Sequence, residues 1–152
     1  MGDRVSRTAA DIEPRTGTIY PDEFKSVVDG RAKRALGNAY DLTQFGINQT
    51  ELAPGAASAI RHWHTRADEL VYVLSGELAL VTDAGEETLR PGNFAGFKAG
   101  VADGHHLVNR SDAPAIYLEI GSRFADDEAH YPDVDLHFAG AAGFRRKDGT
   151  SV

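Results

Sequence analysis

An all-β sandwich or barrel is the fold class that this 152-residue sequence predicts. Short runs rich in Val, Leu, Ile, Tyr and Phe recur along residues 42–120, at the roughly 8–12-residue spacing of strands in such folds. Gly, Pro or Asp stands at most of the junctions, where tight turns need them. No segment carries the long 3.6-residue apolar periodicity of an amphipathic helix.

The elements follow in order. Residues 1–18 are polar and aperiodic, with Pro14 and Gly17, and read as an arm. Pro21 opens a turn into a short helical segment that runs through Val27 and Val28 and stops near Asp29-Gly30. Residues 31–36 are open between helix and strand, and the basic run 31–34 reads as solvated surface, as short basic runs usually are. Strands are then expected at 45–52, 59–64, 70–74, 78–82, 87–90, 94–97, 105–109 and 115–120. Pro54-Gly55, Ser75-Gly76, Gly85, Pro91-Gly92, Gly100, Pro114 and Gly121 stop or separate them. The tail after Arg123 is acidic at 126–128 and holds His130 and Tyr131, which are placed to fold over the mouth of the barrel.

Composition narrows the function. Apolar residues make up 41% and charged residues 26%, ordinary values for a globular protein with a core. A net charge of −7 argues against a nucleic-acid partner. With no cysteine, disulfides, thiolate metal sites and cysteine nucleophiles are all excluded. Residues 1–11 lack an apolar run, and no stretch approaches the roughly 20 apolar residues of a membrane span, so no membrane partner and a cytoplasmic location are expected. Neither G-x-G-x-x-G nor a Walker-type loop occurs, and neither Ser58 nor Ser75 sits in a nucleophile elbow.

The chemistry gathers at His62, His64, Glu69 and His105. Histidines spaced i, i+2 on a strand share one face. Glu69 shares a face with Val71 and Val73 at the start of the next strand, and His105 shares one with Leu107 and Asn109. Three imidazoles and one carboxylate are a candidate site for a divalent transition metal. His106 competes with His105, because a bulge in that strand would exchange the two. Asp68 competes less well with Glu69, since it breaks parity with Val71 and Val73. Arg61 and Trp63 are expected to face outward, against an outer layer or an interface. Tyr72 and Tyr117 read as core or interface aromatics, and Asn109 as a residue that fixes a turn or strand end. Glu119 and Arg123 are expected to pair at the surface or the barrel mouth.

Gly55, His62, His64, Glu69 and Gly76 read as G-x6-H-x-H-x4-E-x6-G, which resembles the first cupin motif with one extra residue after its first glycine. Gly92, Gly100, His105 and Asn109 resemble the second cupin motif. There, Lys98 replaces a proline, and four residues rather than two separate Gly100 from His105. The resemblance covers about 42–123, and segments 104–123 and 130–136 look like those of small bacterial single-domain cupins.

The resemblance implies a jelly-roll β-barrel over 42–123, with an arm over 1–41 that is exchanged in a homodimer and a tail over 124–152 that packs on the barrel. It implies His62, His64, Glu69 and His105 as ligands of Fe, Mn, Ni, Co, Cu or Zn. The expected function is metal-dependent dioxygenase-, isomerase- or lyase-type chemistry on a small polar molecule. The alternative is a non-catalytic module that binds or senses a small ligand. A sugar-phosphate substrate would need several basic side chains facing inward, and few read as inward from the alternation.

Overall fold

The computed structural model describes residues 5–152, so the first four residues of the expected arm lie outside the described residues. Twelve strands form among them: β1 (Arg31–Ala35), β2 (Phe45–Leu52), β3 (Trp63–His64), β4 (Glu69–Ser75), β5 (Leu78–Thr82), β6 (Gly85–Leu89), β7 (Phe94–Phe97), β8 (His106–Val108), β9 (Ala115–Ser122), β10 (Ala129–His130), β11 (His137–Phe138) and β12 (Phe144–Arg145). All pair antiparallel, in three sheets ordered β1-β2-β9-β4-β7, β6-β5-β8 and β12-β11-β10-β3. This is an all-β jelly-roll arrangement, with the crossovers between distant strands that such folds use.

Alternation decides which faces pack. On β4, Val71 and Val73 are buried, while Leu70, Tyr72 and Leu74 stay exposed. The five-stranded sheet contributes Leu52, Val71, Val73, Ala115 and Tyr117 to the main core, and the three-stranded sheet meets them with Leu78, Leu80, Leu89 and Leu107. Each such aliphatic side chain contributes roughly 1.5–3 kcal/mol on full burial. Gly76 turns the chain from β4 to β5 at φ +77°, where a Cβ would lie 2.7 Å from the Pro114 oxygen. Only glycine fits there.

A second apolar cluster joins three separate parts of the chain: Tyr20 and Val28, Ile60, and Ala129, Tyr131 and Leu136. The segment before β1 and the tail therefore pack together. Residues 22–28 form the expected short helix, of 3-10 type. Arg15 bridges to Lys33 through paired backbone hydrogen bonds of 2.8 Å, so the arm lies along its own β1.

Several expectations change. The run 31–34 is a strand, and Arg31 is only 7% exposed, not solvated. Of 59–64, only Trp63 and His64 join a sheet, because β3 pairs with β10 of the tail while His62 makes its own bridge to His105. Tyr72 is exposed, whereas Tyr117 is fully buried as a core aromatic. No helix among the described residues is long and apolar enough to cross a membrane.

Candidate metal centre

Backbone pairing brings the histidines together. His62 N–H donates to the His105 oxygen at 3.1 Å and His105 N–H to the His62 oxygen at 2.9 Å, which sets their rings 4.8 Å apart. His64, two residues on, places its ring 5.0 Å from that of His62. Glu69 enters from the first position of β4.

The three Nε2 atoms converge on one carboxylate. His105 Nε2 lies 2.7 Å and His62 Nε2 3.7 Å from Glu69 Oε2, and His64 Nε2 lies 3.3 Å from Oε1. Donor atoms of His62, Glu69 and His105 all fall within 4.8 Å of one another, and His64 approaches the carboxylate from its other oxygen. The opposite ring nitrogens fix the tautomers. His62 Nδ1 lies 2.7 Å from the Ile60 carbonyl oxygen, and His64 Nδ1 lies 2.6 Å from Asp127 Oδ2. Both are acceptors, so Nδ1 carries the proton and Nε2 turns a lone pair toward Glu69.

Lone pairs facing carboxylate oxygens need a proton or a cation between them. Burial opposes charge on His64, yet the neighbouring Glu69 and Asp127 carboxylates outweigh it and hold its pKa up at about 9. Burial likewise opposes charge on Glu69, but the surrounding imidazoles keep its carboxyl well below the usual range. Burial pushes the His105 imidazole down toward its neutral, ligating form. Glu69 Oε2 and His105 Nδ1 are both buried without a hydrogen-bond partner. Three imidazole nitrogens and a carboxylate converging in this way fit a divalent transition ion, which would take the place of the protons between them.

The neighbours of these residues turn elsewhere. His106 Nδ1 faces the Ala59 carbonyl at 2.8 Å, and Asp68 accepts the Ala99 N–H at 2.8 Å. Asn109, fully buried, donates to the Leu52 and Ala113 oxygens and fixes that strand end. Trp63 stacks on His130 at 4.4 Å in the outer sheet. Phe97 stacks flat on His105 at 3.5 Å. Arg61 pairs with Asp83 and with Asp133 of the tail.

The cluster lines a cavity of about 880 Å³, together with Tyr20, Tyr131, Arg31 and Lys33. A smaller cavity of about 260 Å³, bounded by Trp63, Phe97 and Lys98, shares His64, Glu69 and His105 as its wall. Tyr131 of the tail sets its ring 5.9 Å from His62.

Sequence reasoning missed three of these side chains. Asp127 was hidden in what reads as an acidic tail. Arg31 and Lys33 were hidden in what reads as a surface run, although the i, i+2 spacing that grouped the histidines also groups them. Glu119 pairs with Lys33 at 2.6 Å, and Arg123 instead reaches the Leu42 oxygen and Asn38.

Comparison with known proteins identifies the family. The sequence pattern of the cupin domain matches residues 48–121. The fold superimposes with a TM-score of 0.92 on a crystal structure from Silicibacter pomeroyi DSS-3, named a sugar phosphate isomerase from a cupin superfamily. Identity is 43%, over 97% of this chain and 96% of that one. The chain belongs to the cupin superfamily. This cupin is also similar to the oxalate decarboxylase OxdC of Bacillus subtilis (strain 168), 30% identical over 138 residues. That match covers 83% of this chain but only 34% of the decarboxylase, so the cupin spans about a third of that relative's length. The polyketide cyclase RemF of Streptomyces resistomycificus shares the fold, with a TM-score of 0.63 at 22% identity over 80% of each chain.

Proposed function

We propose that this cupin is a metal-dependent enzyme acting on a small polar molecule by isomerase- or lyase-type chemistry, with His62, His64, Glu69 and His105 as the ligands of one divalent transition ion. One observation carries the reading: three imidazole Nε2 atoms and a carboxylate converge on the wall of a cavity of about 880 Å³. That volume lies within the usual range for small-molecule sites. A bound divalent ion supplies a Lewis acid that polarises a carbonyl or hydroxyl.

The chain's own groups supply the rest. Asp127 and the Ile60 carbonyl hold His64 and His62 in the ligating tautomer. Burial pushes the Tyr20 and Tyr131 hydroxyls up, so both stay protonated at neutral pH in the cavity lining. Isomerase chemistry leads the reading because the relative at 43% identity carries that name. The expected shortage of inward basic groups, which weighed against a sugar phosphate, is answered by Arg31 and Lys33 in the lining. The expected homodimer belongs to the same proposal.

Metal analysis comes first, on protein purified without chelators or a metal-affinity tag. Near-stoichiometric metal is expected, and its loss in His62→Ala. Metal-loaded enzyme is then mixed with aldose and ketose phosphates, and their interconversion is followed by NMR. An apoprotein that takes up no metal on reconstitution overturns the reading. Metal uptake without turnover of any small polar substrate moves the assignment to a ligand-binding module.

A further inference from the structure

We infer that the cavity contains an oxyanion subsite built on Arg31, with Lys33 beside it, which takes a phosphate or carboxylate group of the substrate. This rests on the reading that the cavity holds substrate, and it adds the chemical class of that substrate.

Arg31 opens β1 and is 93% buried, yet it lines the cavity. Its Nη1 donates to the Ser58 oxygen at 2.6 Å and its Nη2 to the Gly17 oxygen at 3.3 Å. Both acceptors are neutral. Its Nε is buried with no hydrogen-bond partner. Every ion pair among the described residues involves some other cation. A buried guanidinium without a counter-charge is strongly unfavourable unless something completes it. Bracing two carbonyls explains the Nη contacts but leaves the Nε donor and the charge unanswered. An oxyanion answers both, because a guanidinium presents several coplanar N–H donors to phosphate or carboxylate oxygens.

Lys33 adds to the site. It stands two residues along β1, on the same face, and lines the same cavity. It pairs with Glu119 at 2.6 Å, but Glu119 also accepts from Asn48 at 3.0 Å and Thr50 at 3.2 Å. That carboxylate therefore keeps partners when the ammonium turns toward a ligand. Arg15, held to Lys33 by the backbone bridge, extends the positive lining. The cavity thus joins a ligand set suited to a cation and a cationic pair suited to an anion, which selects a small molecule with one oxyanion group and polar atoms for the metal.

The test titrates the full chain by calorimetry, as purified and after metal removal, with inorganic phosphate and separately with acetate. Saturable binding of at least one anion is expected, and the tighter of the two identifies the group. Arg31→Gln should weaken it at least tenfold and Lys33→Gln several-fold, with metal affinity unchanged within about twofold, since neither residue touches the imidazoles. Because Arg31→Gln also removes a buried brace on the Ser58 and Gly17 carbonyls, a wild-type measurement stands beside it. The Arg31 Nε–H resonance should shift on titration with the calorimetric midpoint. No saturable binding of either anion, or binding with that resonance stationary and Lys33→Gln unaffected, overturns the subsite. Metal uptake without anion binding sinks this inference and leaves the metal assignment standing. Anion binding at Arg31 without metal uptake does the reverse.

Discussion

Asp127 holds two things at once. One oxygen accepts from His64 Nδ1 at 2.6 Å, and the other accepts the backbone N–H groups of Arg66 at 2.8 Å and Ala67 at 3.1 Å. The first contact orients a ring; the second shapes the loop that delivers Glu69. Partners of this kind typically matter 10–100-fold for metal affinity. Asp127→Asn should therefore weaken metal binding by roughly that factor while the protein stays folded, as a chelator-competition titration would record. His106→Ala should leave the metal in place, because that imidazole turns to the Ala59 carbonyl. Elemental analysis checks this, and metal loss there with retention in His105→Ala would move the ligand register by one residue.

At the scale of elements, strands that bury one face behave simply. Leu52, fully buried at the end of β2, packs between the two core sheets, and Leu52→Ala should cost about 2–5 kcal/mol in urea unfolding. Short apolar or mixed runs bounded by Gly, Pro and Asp made β2, β4, β5, β7 and β9 legible in the sequence, because tight turns restrict residue type where strands end. Strand β1 was not legible. Its alternate positions are Arg31, Lys33 and Ala35, and hydrophobic patterning treats Arg and Lys as solvent-facing when their long stems line a cavity. Strand β3 was overextended for another reason. Its partner is β10, some 65 residues away, and pairing at that range leaves no local mark on the sequence. The four convergent residues were legible because ligand chemistry restricts residue type and strand geometry restricts spacing. Asp127 was not, because nothing near it in the chain distinguishes it from its acidic neighbours.

At the scale of the whole molecule, the second apolar cluster ties the segment before β1, the Ile60 loop and the tail into one wall, from which Tyr20, Ala129 and Tyr131 line the cavity. Anything bound only in the folded state stabilises that wall by mass action. Removing metal with a chelator should lower the thermal midpoint, with the largest loss of amide protection at β3 and β10; calorimetry and hydrogen exchange read the two parts. Equal protection with and without metal would detach the tail from the site. Sedimentation of the full chain tests the proposed homodimer.

The pairing of β3 with β10 also orders events during synthesis. His62, His64, Glu69 and His105 leave the ribosome before Asp127, β10 and Tyr131 do. A nascent chain therefore carries the imidazoles before it carries the carboxylate that fixes one of them and the strand that anchors it. Selective metal capture at the proposed site would therefore follow emergence of the tail rather than of the imidazoles alone.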